Sequence, residues 1–407
     1  MAKNLLFSIL LGCFSFTCSL AQQQSVTWLN SHALPVDTND KNNKSYFSSL
    51  ANQLKGNKIC GLAEASHGTH EFSIEKNRII KYLITQENYK YIGFEFGYSA
   101  IAPINNYLLT GKGNLKQLMK PLRLFNTNEI YELFQWVKTY NDSQSLKNKV
   151  TLFGFDTNYI ESDIDASATY SADYLTAHTQ QYSNAQAAIS VLKKITAPDL
   201  GFFDLSDEDV AVISHLNDEI KLKGPAAVDD SGQFKKYISL LYQLSLLSNP
   251  LARDEFMAEN IADYQQESKA KTIIWGHNIH LAKDTTMAKC KGMGYHLKQR
   301  YHNQYYAIGF DTFKGTVNVL DDDNEKLVHH NFETQPESFS ALFAKAKFPV
   351  FFIAFSNTKD DPFYNIEGNI TNIYANWSKS QILPMRPGID FDGLVFIRET
   401  SASIPLD

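Results

Sequence analysis

Cysteine is scarce in this sequence, which has four in 407 residues. Cys13 and Cys18 lie in an apolar N-terminal stretch, and Cys60 and Cys290 lie far apart in the rest of the chain. No CxxC pair and no Cys/His spacing typical of a structural zinc site is present. Two distant cysteines do not make a disulfide framework. The sequence therefore predicts a fold that is stabilised by an ordinary hydrophobic core.

A surplus of positive charge is also lacking. The chain has 38 Lys and Arg against 44 Asp and Glu, which gives a formal net charge of −6. Nucleic-acid-binding proteins usually carry a basic patch, so we expect no nucleic-acid partner. The composition, 43% hydrophobic and 20% charged, is that of a globular protein. No repeat, low-complexity tract or long linker interrupts residues 22–407, which favours a single domain.

The N-terminus has the pattern of a signal peptide. Lys3 precedes an apolar run over residues 5–20, and a Ser-Leu-Ala sequence ends at Ala21. The run is shorter than the about 20 apolar residues of a membrane-spanning helix. We predict cleavage of residues 1–21 and an exported, periplasmic or secreted protein with no transmembrane segment in the mature chain. A lipid anchor at Cys13, which ends a lipobox-like Leu-Leu-Gly-Cys sequence, ranks second, and a buried N-terminal helix ranks third.

Seven short apolar runs are typical of strands in a mostly parallel sheet that is buried on both faces. They cover residues 58–63, 91–94, 150–155, 272–275, 305–310, 349–355 and 394–397. Helical patterns lie between them, which predicts an α/β fold with a mostly parallel central sheet flanked by helices. Residues from about 160 to 268 show little strand pattern. We interpret them as an insertion of three or four helices that packs on the sheet.

Several helix ends can be read from capping residues. Thr69 precedes a helical pattern and is a candidate N-cap. Ser206 and Asp209 have the spacing of a capping box, and Gly224 is a candidate helix stop.

Four predicted strands end at or just before an ionisable side chain. The first is followed by Glu64 and His67, the second by Glu95, the third by Asp156 and the fourth by His277. Ligands of open α/β sheets bind beyond the carboxyl ends of the strands. Each residue alone could equally be a helix cap, but four such strand ends together predict a site.

The first strand continues into a turn that is dense in polar groups, GLAEASHGTHEF (61–72). Glu64 could bind one ring nitrogen of His67 and fix its tautomer, as Asp does in a hydrolase triad. Gly68 would allow an unusual backbone angle and close approach of a ligand. On the following helix Glu71, Glu75 and Arg78 share a face. For Glu75 we favour a solvated salt bridge.

A second dense segment, IIWGHNIHLAK (273–283), follows the fourth strand. It places the imidazole of His277 and the amide of Asn278 at the exit of the strand. For His280, three residues on, we favour hydrogen bonds to loop carbonyls.

Residues 61–72 resemble the glycine–glutamate–histidine–glycine motif of the erythromycin esterase family. The resemblance continues through the following positions: Arg78, Phe94, Glu95, 154–156, Arg253, Asp254, Met257, Ala258, Asn260, 277–280, 293–294, 308–309 and 391–395. Their order and approximate spacing agree over nearly the whole chain after residue 21. The resemblance implies lactone hydrolysis without a serine nucleophile.

The residues favour the same chemistry independently. The sequence has no convincing GxSxG nucleophile elbow, and neither Cys60 nor Cys290 has a catalytic context. Water is then the better nucleophile, with His67 as its general base. Glu64 would orient His67, and Glu95 would position the water or hold His277. His277 and Arg78 are candidates to stabilise the developing oxyanion.

The interpretation that follows is an exported esterase or lactonase with four catalytic residues, His67, Glu64, Glu95 and His277. The candidate substrate-binding residues are Arg78, Glu71, Asn278, Asp156 and Arg253. We expect a small-molecule ester or lactone as the substrate and no cofactor. The sequence leaves the substrate itself and the oligomeric state open.

Two alternatives use the same residues. Two histidines and two carboxylates could hold zinc or manganese in a metal-dependent hydrolase, although no HExxH-like spacing is present. A non-catalytic haem- or metal-binding envelope protein could use His and Tyr at the rim of a cleft. Activity after chelation and the optical absorption of the purified protein would distinguish these alternatives.

Overall fold

The structure is a computed structural model that describes most of the chain. The described residues are 23–37, 43–157, 161–197, 199–223, 232–249, 251–323, 326–356, 358, 360–380 and 382–407. The predicted signal peptide, the lipobox and Gly224 lie outside these ranges. Within them, every helix is too short or too polar to span a bilayer.

Strands and helices alternate along the chain. The strands are β1 (Leu34–Pro35), β2 (Ile59–Leu62), β3 (Tyr89–Gly97), β4 (Thr151–Asp156), β5 (Lys271–Trp275), β6 (Tyr305–Leu320), β7 (Leu327–Glu333), β8 (Val350–Ala354), β9 (Gly368–Ile370), β10 (Leu383–Met385) and β11 (Gly393–Thr400). The helices are α1 (23–32), α2 (Lys44–Gln53), α3 (His70–Glu87), α4 (Tyr98–Thr110), α5 (Leu115–Met119), α6 (Asn128–Asp142), α7 (Glu161–Ala177), α8 (Ala185–Ile195), α9 (Asp207–Lys223), α10 (Gln233–Ser245), α11 (Ala252–Ser268), α12 (Asn278–Leu281), α13 (Met293–Tyr301) and α14 (Phe339–Phe343).

The main sheet has the strand order β1-β8-β11-β6-β2-β5-β3-β4. Neighbours from β11 to β4 are parallel, whereas β8 and β1 are added antiparallel at one side. The predicted α/β fold with a mostly parallel sheet is confirmed. β6 runs ten residues beyond the predicted end at 310 and forms an antiparallel hairpin with β7, which the sequence analysis did not predict.

Each face of the sheet is covered by its own hydrophobic layer. In β2, Cys60 and Leu62 belong to one layer, and Ile59 belongs to the other, as the alternation of side chains along a strand requires. Helices α7 to α10 share a separate core that includes Phe234. Helix α11 packs on the sheet layer instead, for example through Met257, and so reaches the edge of the sheet where the strands end.

Two of the predicted helix starts are confirmed. α3 begins at His70 with Thr69 as its N-cap residue, but the Thr69 hydroxyl contacts Ser66 rather than a backbone amide of the helix. The amide of Ser206 donates to Asp209 Oδ2, and the amide of Asp209 donates to Ser206 Oγ, both at 3.3 Å. This reciprocal pair is a capping box at the start of α9.

Candidate active site

The carboxyl ends of the parallel strands open into a cavity of about 420 Å³. The ionisable side chains on its floor come from the segments after β2 and β5, from β3 and β4, and from α11 and α12: His67, Glu95, Asp156, Arg253, His277 and His280. Apolar side chains form the walls: Phe96, Leu122, Leu124, Phe125, Ile279 and Leu320. The four predicted strand-end positions are thus brought together in one place.

The orientation of the His67 ring is fixed by a hydrogen bond to Glu64. The Nδ1–H group of His67 donates to Glu64 Oε1 at 2.8 Å, and Glu64 is 1% exposed. With Nδ1 protonated, Nε2 is the basic nitrogen of the neutral ring. None of the described residues forms a hydrogen bond with Nε2, and the His67 ring lies on the surface of the cavity. The pair therefore has the arrangement of a general base and its orienting carboxylate.

Glu64 is itself fixed by two buried donors. Lys76 Nζ donates to Glu64 Oε2 at 2.6 Å, and Trp275 Nε1 donates to the same oxygen at 2.9 Å. Burial alone would raise the pKa of Glu64, but the Lys76 ammonium and the bond from His67 outweigh it and lower this pKa. The ionised form of Glu64 is therefore favoured. The sequence analysis did not identify Lys76 or Trp275 as part of the site.

His277 lies beside His67, with ring centroids 5.1 Å apart. Its Nε2–H lies 3.2 Å from the carbonyl of Ala65 and 3.3 Å from that of Ile373, and Nδ1 accepts from the amide of Ile279. Burial, followed by the neighbouring His67 and His280, lowers the pKa of His277 well below its usual value. His277 is a neutral ring that ties the segment after β5 to two other segments.

Glu95 connects the segment after β5 to two cationic side chains. Its Oε2 accepts from the backbone amide of His277 at 2.7 Å, and its Oε1 lies 3.3 Å from Arg253 Nη2 and 3.4 Å from His280 Nε2. Arg253 also forms a two-pronged ion pair with Asp156, at 2.9 and 2.7 Å. These carboxylates outweigh the effect of burial and raise the pKa of Arg253. Glu95 therefore holds His277 through the main chain.

His280 contacts carboxylates, and our expectation of hydrogen bonds to loop carbonyls is wrong. Its Nδ1–H donates to Asp254 Oδ1 at 2.8 Å. Burial would lower the pKa of His280, but Glu95 and Asp254 outweigh it and raise this pKa, so the imidazolium form is favoured. It is His277 that contacts carbonyls. His280 and Arg253 are thus two cationic donors on the cavity floor.

Three predicted binding residues lie away from the cavity. Arg78 donates to Glu75 and to the carbonyl of Asp37, and it is not among the residues that line the cavity. Glu71 accepts from Ser401. The amide of Asn278 binds the backbone of Phe310.

Two further expectations about the first segment are wrong. Glu75 is 2% exposed rather than solvated, because Arg78 pairs with it inside the protein. Gly68 does not have the unusual backbone angle that we expected, because its φ lies outside the left-handed region, and the glycine is required by a neighbouring strand. A Cβ atom at position 68 would lie 1.8 Å from the carbonyl oxygen of Asn318 in β6.

Residues 401–407 pack against the turn between β2 and α3 that carries Glu64 and His67. We call this segment the catalytic turn, after the role proposed for His67. The amide of His70 donates to the carbonyl of Ser401, and the amide of Ser403 donates to the carbonyl of Gly68. Further along, the amide of Asn128 donates to the carbonyl of Ile404, and that of Leu406 donates to Asn126. The segment therefore joins the turn that carries His67 to the chain that forms one wall of the cavity.

That wall contains a strained residue. Arg123, in the 3-10 turn Lys120–Phe125, has φ 48° and ψ −108°, a conformation that side-chain-bearing residues rarely adopt and that costs about 1–3 kcal/mol. Its neighbours Leu122 and Leu124 are buried in the core, so the surrounding packing holds Arg123 at the cavity.

Within the described ranges, no three His, Cys, Asp or Glu side chains are grouped so as to hold a metal ion. The carboxylates in and beside the cavity accept hydrogen bonds from basic side chains: Glu64 from Lys76 and His67, Asp156 from Arg253, and Asp254 from His280.

Comparison with known proteins gives this site a context. A relative from Bacillus subtilis (strain 168), named putative hydrolase YbfO, is 25% identical over 462 aligned positions that cover 99% of each chain. The Escherichia coli erythromycin esterase type II is 22% identical over 331 positions, covering 72% of this chain and 78% of that protein. The crystal structure of a mutant of the erythromycin esterase EreC in its open conformation shares the fold, with a TM-score of 0.67 and 17% identity over 90% of this chain and 96% of that one.

The model of one protein family matches most of the chain. It is described as erythromycin esterase and matches residues 84–400. This range includes Glu95, Asp156, Arg253, His277 and His280, and the alignment with the Bacillus subtilis relative extends over nearly the whole chain. The protein belongs to the erythromycin esterase family.

Proposed function

We propose that this protein is a carboxylic ester hydrolase that opens a macrolide lactone or a related ester with water activated by His67. The family and the names of its relatives support a hydrolase. Ester hydrolysis by water that His67 activates is supported above all by the Glu64–His67 pair. Its anionic partner is buried, and its basic nitrogen is not bonded to any described residue and belongs to a ring at the cavity.

The reaction balances with the groups at hand. His67 Nε2 takes a proton from water while the water oxygen forms a bond to the carbonyl carbon of the ester. The tetrahedral intermediate then breaks its bond to the alcohol oxygen, which receives the proton back from His67. The products are an alcohol and a carboxylic acid, which ionises by releasing its proton to solvent; the two are joined in one molecule if the substrate is a lactone. Glu64 remains ionised throughout and stabilises the imidazolium that forms on His67.

The oxyanion of the intermediate requires donors that are in place before the reaction. Arg253 and the cationic His280 line the cavity and are fixed by Asp156 and Asp254. Fixed donors of this kind contribute roughly 10²–10³ in rate each. They replace Arg78 in the mechanism, because its guanidinium is bound to Glu75.

The shape of the cavity supports an amphipathic substrate. Its walls carry the aromatic rings of Phe96, Phe125 and Tyr374, whereas its floor is charged. An ester group can reach the charged floor while an apolar body packs on the walls.

The test is to incubate the protein with a panel of macrolides and simple lactones and to follow the products by mass spectrometry. The wild type should add one water to at least one of these substrates. His67→Ala should lower turnover by about 10²–10⁴, the usual contribution of a general base, with an unchanged circular dichroism spectrum. His215→Ala, an exposed histidine in α9, is the matched control and should be fully active. Full activity of His67→Ala would refute the proposed base.

A chelation experiment distinguishes a metal-dependent hydrolase from one in which His67 activates the water. If His67-activated water is the nucleophile, activity should survive incubation with a chelator. Loss of activity that zinc or manganese restores would favour the metal-dependent hydrolase. A haem absorption band in a protein without esterase activity would favour the non-catalytic binding protein.

A further inference from the structure

The outer part of the cavity carries two cations from separate segments of the chain. Arg123 lies in the 3-10 turn before α6, and Lys379 lies in the short turn Trp377–Lys379 between β9 and β10. Both line the same cavity as His67. We refer to Arg123 and Lys379 together as the cationic rim.

The carboxylates that line the cavity already have cationic partners. Glu95 lies within 3.4 Å of Arg253 and His280, and Asp156 binds Arg253 with both oxygens. Among the described lining residues these two are the acids. A positively charged group of a substrate would therefore have to compete with Arg253 or His280 for a carboxylate.

The ammonium group of Lys379, in contrast, is not paired with a carboxylate of the described residues. Its side chain forms no ion pair with any residue in the described part of the chain, and it is exposed. The acids nearest to its turn have other contacts. Asp322 Oδ1 accepts from Ser378 Oγ at 2.6 Å, and Asp321 Oδ1 accepts from the amide of Lys326 at 3.2 Å. The charge of Lys379 is thus available to a molecule in the cavity.

Arg123 is placed at the cavity at a cost in backbone strain. Its φ of 48° would suit glycine better than arginine, and strained residues that the surrounding packing enforces cluster at ligand sites. A guanidinium group binds a carboxylate with two parallel hydrogen bonds.

We propose that the substrate is an acidic ester, which carries a carboxylate in addition to the ester that is cleaved, and that Arg123 and Lys379 select it. This inference rests on the proposed hydrolase function and narrows it to the related esters, because macrolides that carry a protonated amino sugar would then be poorer substrates than acidic esters. The ester carbonyl lies at the floor beside His67, and the additional carboxylate lies at the cationic rim. A neutral ester of the same size is a poorer substrate, and an ester that carries a quaternary ammonium group is the poorest.

The test uses three 4-nitrophenyl esters of similar length: the hemiglutarate, which is anionic, the valerate, which is neutral, and the 4-(trimethylammonio)butanoate, which is cationic. For the wild type, kcat/KM should decrease in that order. Raising the salt concentration should reduce the preference, because exposed charges are screened within about 10 Å at 0.1 M ionic strength.

Variants test whether Lys379 and Arg123 cause the preference for the anionic ester. Lys379→Gln and Arg123→Gln should each lower the ratio of kcat/KM for the hemiglutarate to that for the valerate by roughly twofold to fivefold, as for an exposed ion pair. The double variant should lower it about tenfold, and Lys379→Glu should favour the cationic ester over the hemiglutarate. Lys193→Gln, which removes an exposed charge from α8, is the control and should leave the ratio as in the wild type.

The outcomes separate this inference from the function on which it rests. If the wild type hydrolyses none of the three esters and no lactone, the hydrolase proposal fails and the inference fails with it. If the valerate is hydrolysed as well as the hemiglutarate, or if Lys379→Glu leaves the ratio unchanged, the hydrolase stands and the acidic substrate is refuted. Lys379 is exposed, so its variants test the inference even if Arg123→Gln does not fold.

Discussion

Lys76 is an ammonium group without exposure to solvent, held between the Glu64 carboxylate and the face of Trp275, with Nζ 4.4 Å from the ring centroid. Burial lowers its pKa to about 8, against the opposing effect of Glu64. The ion pair with Lys76 therefore fixes Glu64 next to His67 and compensates the negative charge of Glu64. Such pairs are expensive to break, because the remaining partner is left buried and uncompensated.

The variant Lys76→Met should therefore lose both stability and activity. We expect a loss of about 3–5 kcal/mol in the free energy of unfolding, measured by urea denaturation, and a lower kcat because Glu64 is no longer fixed. Lys76→Met combined with Glu64→Gln should recover most of the stability, but not the activity. Wild-type stability of the single variant would show that Glu64 is neutral in the folded protein.

Asp390 should make the protein less stable at neutral pH than at mildly acidic pH. Burial raises its pKa from 3.8 to about 7, and its Oδ1 has no hydrogen-bond partner in the described structure. The folded state then holds a proton that the unfolded state releases between these two values. The stabilisation is complete below pH about 4 and is lost as the pH rises through about 7.

Asp390→Asn is expected to remove this pH dependence. The wild type should lose stability relative to the variant between pH 5 and pH 8, by on the order of a few kcal/mol, in denaturant unfolding at each pH. Asp218→Asn, an exposed acid in α9, serves as the control and should follow the wild type. A difference between wild type and Asp390→Asn that is constant with pH would mean that Asp390 has an ordinary pKa.

At the site, the sequence could indicate positions but not partners. The strand-end rule correctly pointed to His67, Glu95, Asp156 and His277 as neighbours, because the ends of parallel strands share one edge. It could not distinguish His277 from His280. Which of them contacts a carboxylate depends on Asp254 in α11, and this contact spans 26 residues of sequence. Lys76 was missed for a similar reason, since its position in α3 looks like that of any surface lysine.

At the scale of secondary-structure elements, the catalytic turn after β2 is packed directly against β6. The carbonyl of Gly68 accepts from the amide of Asn318 at 3.2 Å, and a Cβ atom at Gly68 would clash with the Asn318 carbonyl. Gly68→Ala should therefore separate the two segments and displace His67. We expect a large loss of activity together with a lower melting temperature.

The matched control is Gly201→Ala, where the added Cβ atom would meet nothing closer than 3.7 Å. This variant should have wild-type activity and a similar melting temperature. If Gly68→Ala were equally harmless, the contact between β6 and the catalytic turn would have to be loose in solution.

Seven strands could be predicted from their apolar runs, because both faces of the central sheet are covered. β7 could not, because its side chains alternate between exposed and half-buried and include His329 and His330, so no apolar run is present. The additional length of β6 was missed for the same reason: residues 311–320, most of which pair with β7, mix polar and apolar side chains and contain no long apolar run. α11 was assigned to the insertion from its position alone, since its helical pattern does not reveal that Met257 packs on the sheet.

At the scale of the whole molecule, export remains a proposal that rests on residues 1–21. If they are a signal peptide, the protein recovered from the periplasm or medium should begin at Gln22 in intact-mass analysis. A diacylglycerol-modified N-terminal Cys13 would instead identify a lipoprotein. An unprocessed Met1 in the cytoplasm would refute both.

The contacts of residues 401–407 have a consequence for the order in which the candidate site is assembled during translation. This segment is translated after all the other described residues, yet it binds the backbone on both sides of Thr69 and the start of α6. A nascent chain that has not yet reached residue 401 lacks the backbone hydrogen bonds that join the catalytic turn to the wall of the cavity. The turn that carries His67 is therefore fastened to this wall only after residues 401–407 have been synthesised, when the rest of the described chain is already present.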